Sequence, residues 1–132
     1  MGFKLNSVVY IGTRGSIIST ITFKDRQDAI TGDYNANKEV SKNIKKFFKD
    51  KATNHFNGFY VLKQNNGSYL AVADNPGKVP GSHAVYVKEI SSSGETLRVY
   101  KTTYDNKGNI AHTKDKLKKK GVKKWCTQLS IQ

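Results

Sequence analysis

The sequence predicts an α+β domain in which an amino-terminal β-hairpin and a basic amphipathic helix pack on a twisted antiparallel sheet ending in a meander. Three observations predict it: a helical period over 35–51, strand-like segments separated by glycine turns from 59 onward, and apolar alternation along the strands of 83–114. The 132 residues form one domain, 1–132, long enough to bury a core without a disulfide or a metal.

Segments 7–13 and 16–24, rich in isoleucine, valine and threonine, predict a hairpin around Arg14-Gly15. The stretch Gly12-Thr13-Arg14-Gly15-Ser16 is explained by a turn more simply than by a phosphate loop, since neither the lysine nor the strand-to-helix context of that motif follows. Over 35–51, Val40, Ile44, Phe47 and Phe48 fall on one helix face, with Lys38, Lys42, Lys45, Lys46 and Lys49 around the rest. Asn35 or Asn37 caps its start, and Asn54-His55 with Asn57-Gly58 mark its end, where His55 is a helix-terminus residue. Segments 59–64 and 68–74 predict a second hairpin around Asn65-Asn66-Gly67. The loop 75–82 holds both prolines of the chain and leads into a sheet edge, which makes its Lys78 a candidate for substrate contact. A strand over 125–131 closes the chain.

The meander 83–114 carries two turns of the same grammar. Ser91-Ser92-Ser93-Gly94-Glu95 and Asp105-Asn106-Lys107-Gly108-Asn109 each place a small polar residue first and glycine fourth, the pattern of a type I turn closed by a left-handed glycine. Counting outward from these turns sets Tyr86 opposite Tyr100, Lys88 opposite Arg98, Thr102 opposite His112 and Tyr100 opposite Lys114. One face then carries Tyr86, Lys88, Arg98, Tyr100, Thr102, Tyr104, His112 and Lys114, while Val85, Val87, Leu97, Val99 and Ala111 take the other. A slip of one residue would bring Lys101 and Thr103 to His112 instead.

Charge narrows the partners. Against 10 acidic residues stand 23 basic ones, for a net charge of +13 and a pI near 9.8, a field that selects polyanions. The run 114–124 alone holds seven lysines in eleven residues and extends the positive surface from Lys114 through Lys116. No apolar stretch is long enough for a membrane span, and no strongly apolar amphipathic anchor is present, so stable membrane insertion is not expected and nucleic acid ranks first. A single cysteine, Cys126, and three scattered histidines make no cysteine-based zinc site, and scattered carboxylates disfavour a metal-dependent nuclease. No cofactor is expected.

Metal-independent RNA cleavage needs a group to take the 2′-hydroxyl proton, a group to protonate the leaving oxygen, and cations for the charge gathering on phosphate. His112 suits the proton transfers, Arg98, Lys88 and Lys114 the phosphate, and Thr102 and Tyr100 the orientation of the imidazole. Tyr86 and Tyr104 offer surfaces for unpaired bases. The same residues serve a nucleic-acid-binding module without catalysis, and the basic face would also suit an acidic protein partner.

The run Gly77-Lys78-Val79-Pro80-Gly81-Ser82-His83-Ala84-Val85-Tyr86, with Lys101-Thr102-Thr103-Tyr104-Asp105-Asn106-Lys107-Gly108-Asn109-Ile110-Ala111-His112-Thr113-Lys114-Asp115-Lys116, resembles the carboxyl-terminal toxin modules of bacterial polymorphic and contact-dependent growth inhibition systems. The resemblance implies the helix-then-sheet fold shared by barnase, EndoU, the RNA-cleaving colicins and RelE, although the amino-terminal hairpin departs from its minimal form. It further implies a ribonuclease acting on tRNA, delivered by a larger carrier into the cytoplasm of a competing bacterium and neutralised by an acidic immunity protein.

Overall fold

A computed structural model describes residues 16–52 and 57–115. Its elements run β1 (Ile17–Phe23), α1 (Arg26–Thr31), α2 (Lys38–Lys51), β2 (Gly58–Gln64), β3 (Tyr69–Pro76), β4 (His83–Ile90), β5 (Thr96–Tyr104) and β6 (Ile110–Asp115). The six strands form one antiparallel sheet in sequence order, so the chain is α+β, as the patterning predicts. Among the described residues β1 pairs with β2, from Ile17 opposite Gln64 to Phe23 opposite Phe59. The predicted strand 7–13, the lysine-rich run beyond 115 with Lys116, the strand over 125–131 and His55 lie outside the described residues.

Helix α2 starts where Asn37, of the two candidate asparagines, accepts a hydrogen bond from the Val40 amide at 2.9 Å, and it closes with the Ala52 N–H on the Phe48 carbonyl. The predicted apolar stripe is the buried one: Val40, Ile44, Phe47 and Phe48. Phe48 is fully buried, its ring centroid 5.6–6.1 Å from those of Phe23, Tyr34, Phe47 and Phe59. Each such side chain contributes about 1.5–3 kcal/mol by leaving water. Helix α1 is not legible in the sequence, because six residues are too few for a period. It is held by Asp25, whose carboxylate accepts from the Asp28 amide at 2.7 Å.

The turns form as predicted. The Ser91 amide donates to the Glu95 carbonyl and the Asp105 amide to the Asn109 carbonyl, both at 2.8 Å, with Gly94 and Gly108 at φ of 95° and 88°. Beyond each turn, however, one residue bulges out of the ladder. Ile90 faces Thr96 but Glu89 faces Arg98, leaving Leu97 unpaired; Tyr104 faces Ile110 but Thr103 faces His112, leaving Ala111 unpaired. The first bulge shifts β5 by one residue against β4, and the second shifts β6 back into phase with β4. Val85 and Val87 therefore share a face with Arg98, Tyr100, Thr102 and Tyr104. Tyr86 and Lys88 share the other with Val99, Lys101, Thr103, His112 and Lys114.

The first turn is also a tertiary contact. Asn37 Nδ2 donates to the Ser92 carbonyl at 2.8 Å, and Asn43 Nδ2 to the Gly94 carbonyl at 3.0 Å, locking α2 to the β4–β5 turn. A Cβ on Gly94 would lie 2.7 Å from Glu39 Cβ and 3.1 Å from its backbone carbon, whereas one on Gly108 would meet nothing within 4 Å. Gly108→Ala is therefore expected to cost only the left-handed backbone penalty of about 1–2 kcal/mol. Gly94→Ala adds an overpacking cost of about 1–3 kcal/mol. Urea unfolding of the two variants checks the difference, and equal losses would contradict the docking of this turn on α2.

Candidate nucleic-acid interface

The sheet face that α2 packs on begins with Phe59, Val61, Ala71 and Ala73, which share its core cluster. The helix does not span all six strands. The helix lies against β3 and reaches β4, and alongside it the same face continues over β4, β5 and β6 as Tyr86, Lys88, Val99, Lys101 and Thr103, all half-buried, and His112 and Lys114, both exposed. Lys51 at the end of α2 and Lys101 on β5 place their ammonium groups 5.2 and 5.6 Å from the Tyr86 ring centroid. Between helix and sheet lies a cavity of about 380 Å³ lined by Lys46, Phe47, Asp50, Lys51, Lys88 and Val99. Burial, helped by Lys46 and Lys51 and opposed by Asp50, lowers the Lys88 pKa from its ordinary value. A second cavity, of about 510 Å³, lies between the 76–82 loop, the β5–β6 turn and Tyr86, and includes Lys78 and Lys101 in its lining. Six lysines thus border one strip of surface: Lys46, Lys51, Lys78, Lys88, Lys101 and Lys114.

Of the residues expected to act together, this face holds Tyr86, Lys88, His112 and Lys114, with Lys78 at its border. Arg98, Tyr100, Thr102 and Tyr104 are on the opposite face, a correction that follows from the two bulges. Thr102 is 1% exposed and faces Val85 and Thr113 rather than His112; Tyr100 and Tyr104 are 8% and 5% exposed and belong to a cluster with Leu62, Leu70, Val72, Val85 and Val87. Arg98 is engaged by the buried Glu89, its Nε donating to Oε1 at 2.8 Å, while Gln64 and Ser68 donate to Oε2 at 3.1 and 3.2 Å. A buried carboxylate demands such partners, so Arg98 turns to Glu89. The cross-strand neighbour of His112 is Thr103, and Lys114 stands opposite Lys101.

Sequence reasoning did not single out Lys101 and Thr103 as site residues, because the bulges at Leu97 and Ala111 carry no glycine to announce them. Nor did it find a second polar site on the opposite face. There the His83 Nδ1 lies 2.9 Å from the Oδ1 of a fully buried Asp74, which also accepts from Asn57 Nδ2 at 3.2 Å. The Tyr104 ring meets the imidazole edge-on at 6.5 Å. Burial raises the Asp74 pKa, opposed by the hydrogen bonds from His83 and Asn57 and by the His83 charge; burial and the Asp74 charge raise that of Tyr60. Asp74 faces Val85, so His83 reaches it diagonally across the hairpin, a relation visible only once the loop 75–82 is known to close in this register.

Among the described residues, no helix is long and apolar enough to cross a membrane. No family model matches this chain, and no curated protein or solved structure is significantly similar to it, so its fold and its basic face stand on the residues themselves.

Proposed function

We propose that this chain is a metal-independent endoribonuclease domain that grips single-stranded RNA, such as the loops of tRNA, on the basic face of β4–β6. One observation carries the reading: the strip that joins six lysines, the half-buried Tyr86 and the exposed His112 on one side of the sheet. Lysines bind the phosphates at a salt-sensitive affinity, and the imidazole takes the 2′-hydroxyl proton as the 2′-oxygen attacks the neighbouring phosphorus. The bond to the 5′-oxygen breaks, that oxygen takes a proton from solvent water, the imidazolium returns its proton to the resulting hydroxide, and a 2′,3′-cyclic phosphate remains. Lys101 and Lys114, flanking Thr103 and His112 on the paired strands, serve the charge that gathers on the phosphate. The resemblance of 77–116 to interbacterial toxin modules extends the proposal to a domain delivered by a larger carrier, acting in a target cytoplasm and bound at home by an acidic immunity protein. The charge of +13 suits such a partner.

Purified protein incubated with total tRNA in EDTA tests this, alongside His112→Ala. Wild type should release fragments ending in cyclic phosphate, and the variant should be slower by about 10²–10⁴-fold. Intact RNA in both samples would sink the enzymatic reading. A binding module without catalysis is favoured by the setting of His112, which is exposed on β6 and, among the described residues, has no buried carboxylate beside it as His83 does. That reading predicts salt-dependent RNA binding that His112→Ala leaves unchanged.

A further inference from the structure

We propose that the cavity of about 510 Å³ beside Tyr86 is a nucleobase pocket, which takes one unpaired base of the bound strand and favours bases that carry an exocyclic amino group. The proposal rests on the reading of the basic face as an RNA-binding surface, and it adds which part of the RNA enters the protein.

Four features carry it. The volume lies within the range of small-ligand sites, about 300–1,000 Å³, and the walls Val79, Ala84 and Ala111 are apolar, as the faces of a base require. The cavity is preformed: the Gly77 amide donates to the Ser82 carbonyl at 2.9 Å and the Ser82 amide and hydroxyl donate to the Val79 carbonyl at 2.9 and 2.6 Å, fixing the 76–82 loop. Cations border it, with Lys101 held over the Tyr86 ring and Lys78 on the loop, so a phosphate at the rim is matched. Finally, Asp105 lines the cavity. Its Oδ1 accepts from the Lys107 and Asn109 amides, both at 2.9 Å, and these bonds hold its carboxyl below the usual carboxylate range. An ionised carboxylate repels phosphate and accepts hydrogen bonds from amino groups. Phosphates therefore stay with the lysines and the base enters, with Thr103 and Asn106 offering further polar contacts. Adenine, cytosine and guanine present an amino donor on their pairing edge; uracil does not.

The test uses the whole chain and labelled 2′-O-methyl hexamers of A, C and U, which resist cleavage, together with an abasic strand of equal charge. Two variants isolate the pocket. Asp105→Asn removes the charge while its side-chain oxygen can still accept the two turn amides, and Ala111→Trp fills the cavity from an exposed bulge position. The A and C strands should bind about tenfold more tightly than U. Asp105→Asn should erase most of that difference, and Ala111→Trp should bring all three down to the abasic level, with unchanged circular dichroism and melting. Equal affinity for A, C, U and the abasic strand, or a base preference that survives both substitutions, would overturn the pocket while leaving the basic face intact. No binding of any strand at low salt would overturn the pocket and the RNA-binding reading together.

Discussion

Phe48→Ala is expected to lower the unfolding free energy by about 3–5 kcal/mol. Its side chain is fully buried at the point where α2 meets Phe23 of β1 and Phe59 of β2, and it also touches Tyr34 in the link between the two helices. Removing the ring leaves a cavity that three elements must collapse around, and rigid strands cannot follow. A domain of this size has roughly 5–15 kcal/mol of stability in all, so the loss takes a large share of it and a marked fall in melting temperature is the expected phenotype. Phe48→Leu, which keeps most of the volume, should cost less than about 1.5 kcal/mol more than a neutral change. Leu97→Ser serves as the control, because Leu97 is 41% exposed at its bulge, and a shift within about 0.5 kcal/mol is expected there. Urea titrations of the three variants decide the matter. A loss under 1 kcal/mol for Phe48→Ala would mean that α2 is not docked through this ring.

The buried stripe of α2 and the glycine turns are written into the sequence, whereas the bulges of β5 and β6 are not. Phe48, Val40, Ile44 and Phe47 announce themselves because a helical period of fourteen residues repeats the apolar choice several times. The turns at Gly94 and Gly108 announce themselves because a left-handed backbone conformation selects glycine. The bulges at Leu97 and Ala111 do neither: the first is an ordinary large residue, the second an ordinary small one, and a single extra residue reverses every side chain beyond it. Strand β5 was the vulnerable one because its two alternating sets are alike in character. Val99, Lys101 and Thr103 could as well have been the buried row as Tyr100, Thr102 and Tyr104. What decides is burial of the tyrosine rings against Val85 and Val87, a tertiary term absent from local pattern. His112, Lys114, Tyr86 and Lys88 were legible as one face because two reversals cancel between β4 and β6.

Replacing Lys88, Lys101 and Lys114 together by glutamine should weaken RNA binding without weakening the fold. Lys101 and Lys114 are directly opposite on β5 and β6, and like charges so placed repel across the strands. Lys88 sits on β4 opposite Val99, two residues from Lys101 along β5, and burial disfavours its charged form. The sign follows from linkage. A lysine whose folded pKa lies below its unfolded value contributes stability only at high pH, and loses it as pH falls through the folded value, so at neutral pH its charge opposes folding. The free protein therefore carries this row at a cost, which a phosphate backbone relieves by supplying the missing negative charge. Neutralising the three should reduce the slope of log affinity against log salt by about 2, at about 0.7 per lost phosphate contact on a single strand. The melting temperature in the absence of RNA should stay level or rise. Fluorescence anisotropy over a salt series and a thermal melt provide the two readouts. An unchanged salt slope would remove β4–β6 as the nucleic-acid face, and a fall in melting temperature would show that the lysines are held there by the fold rather than for a polyanion.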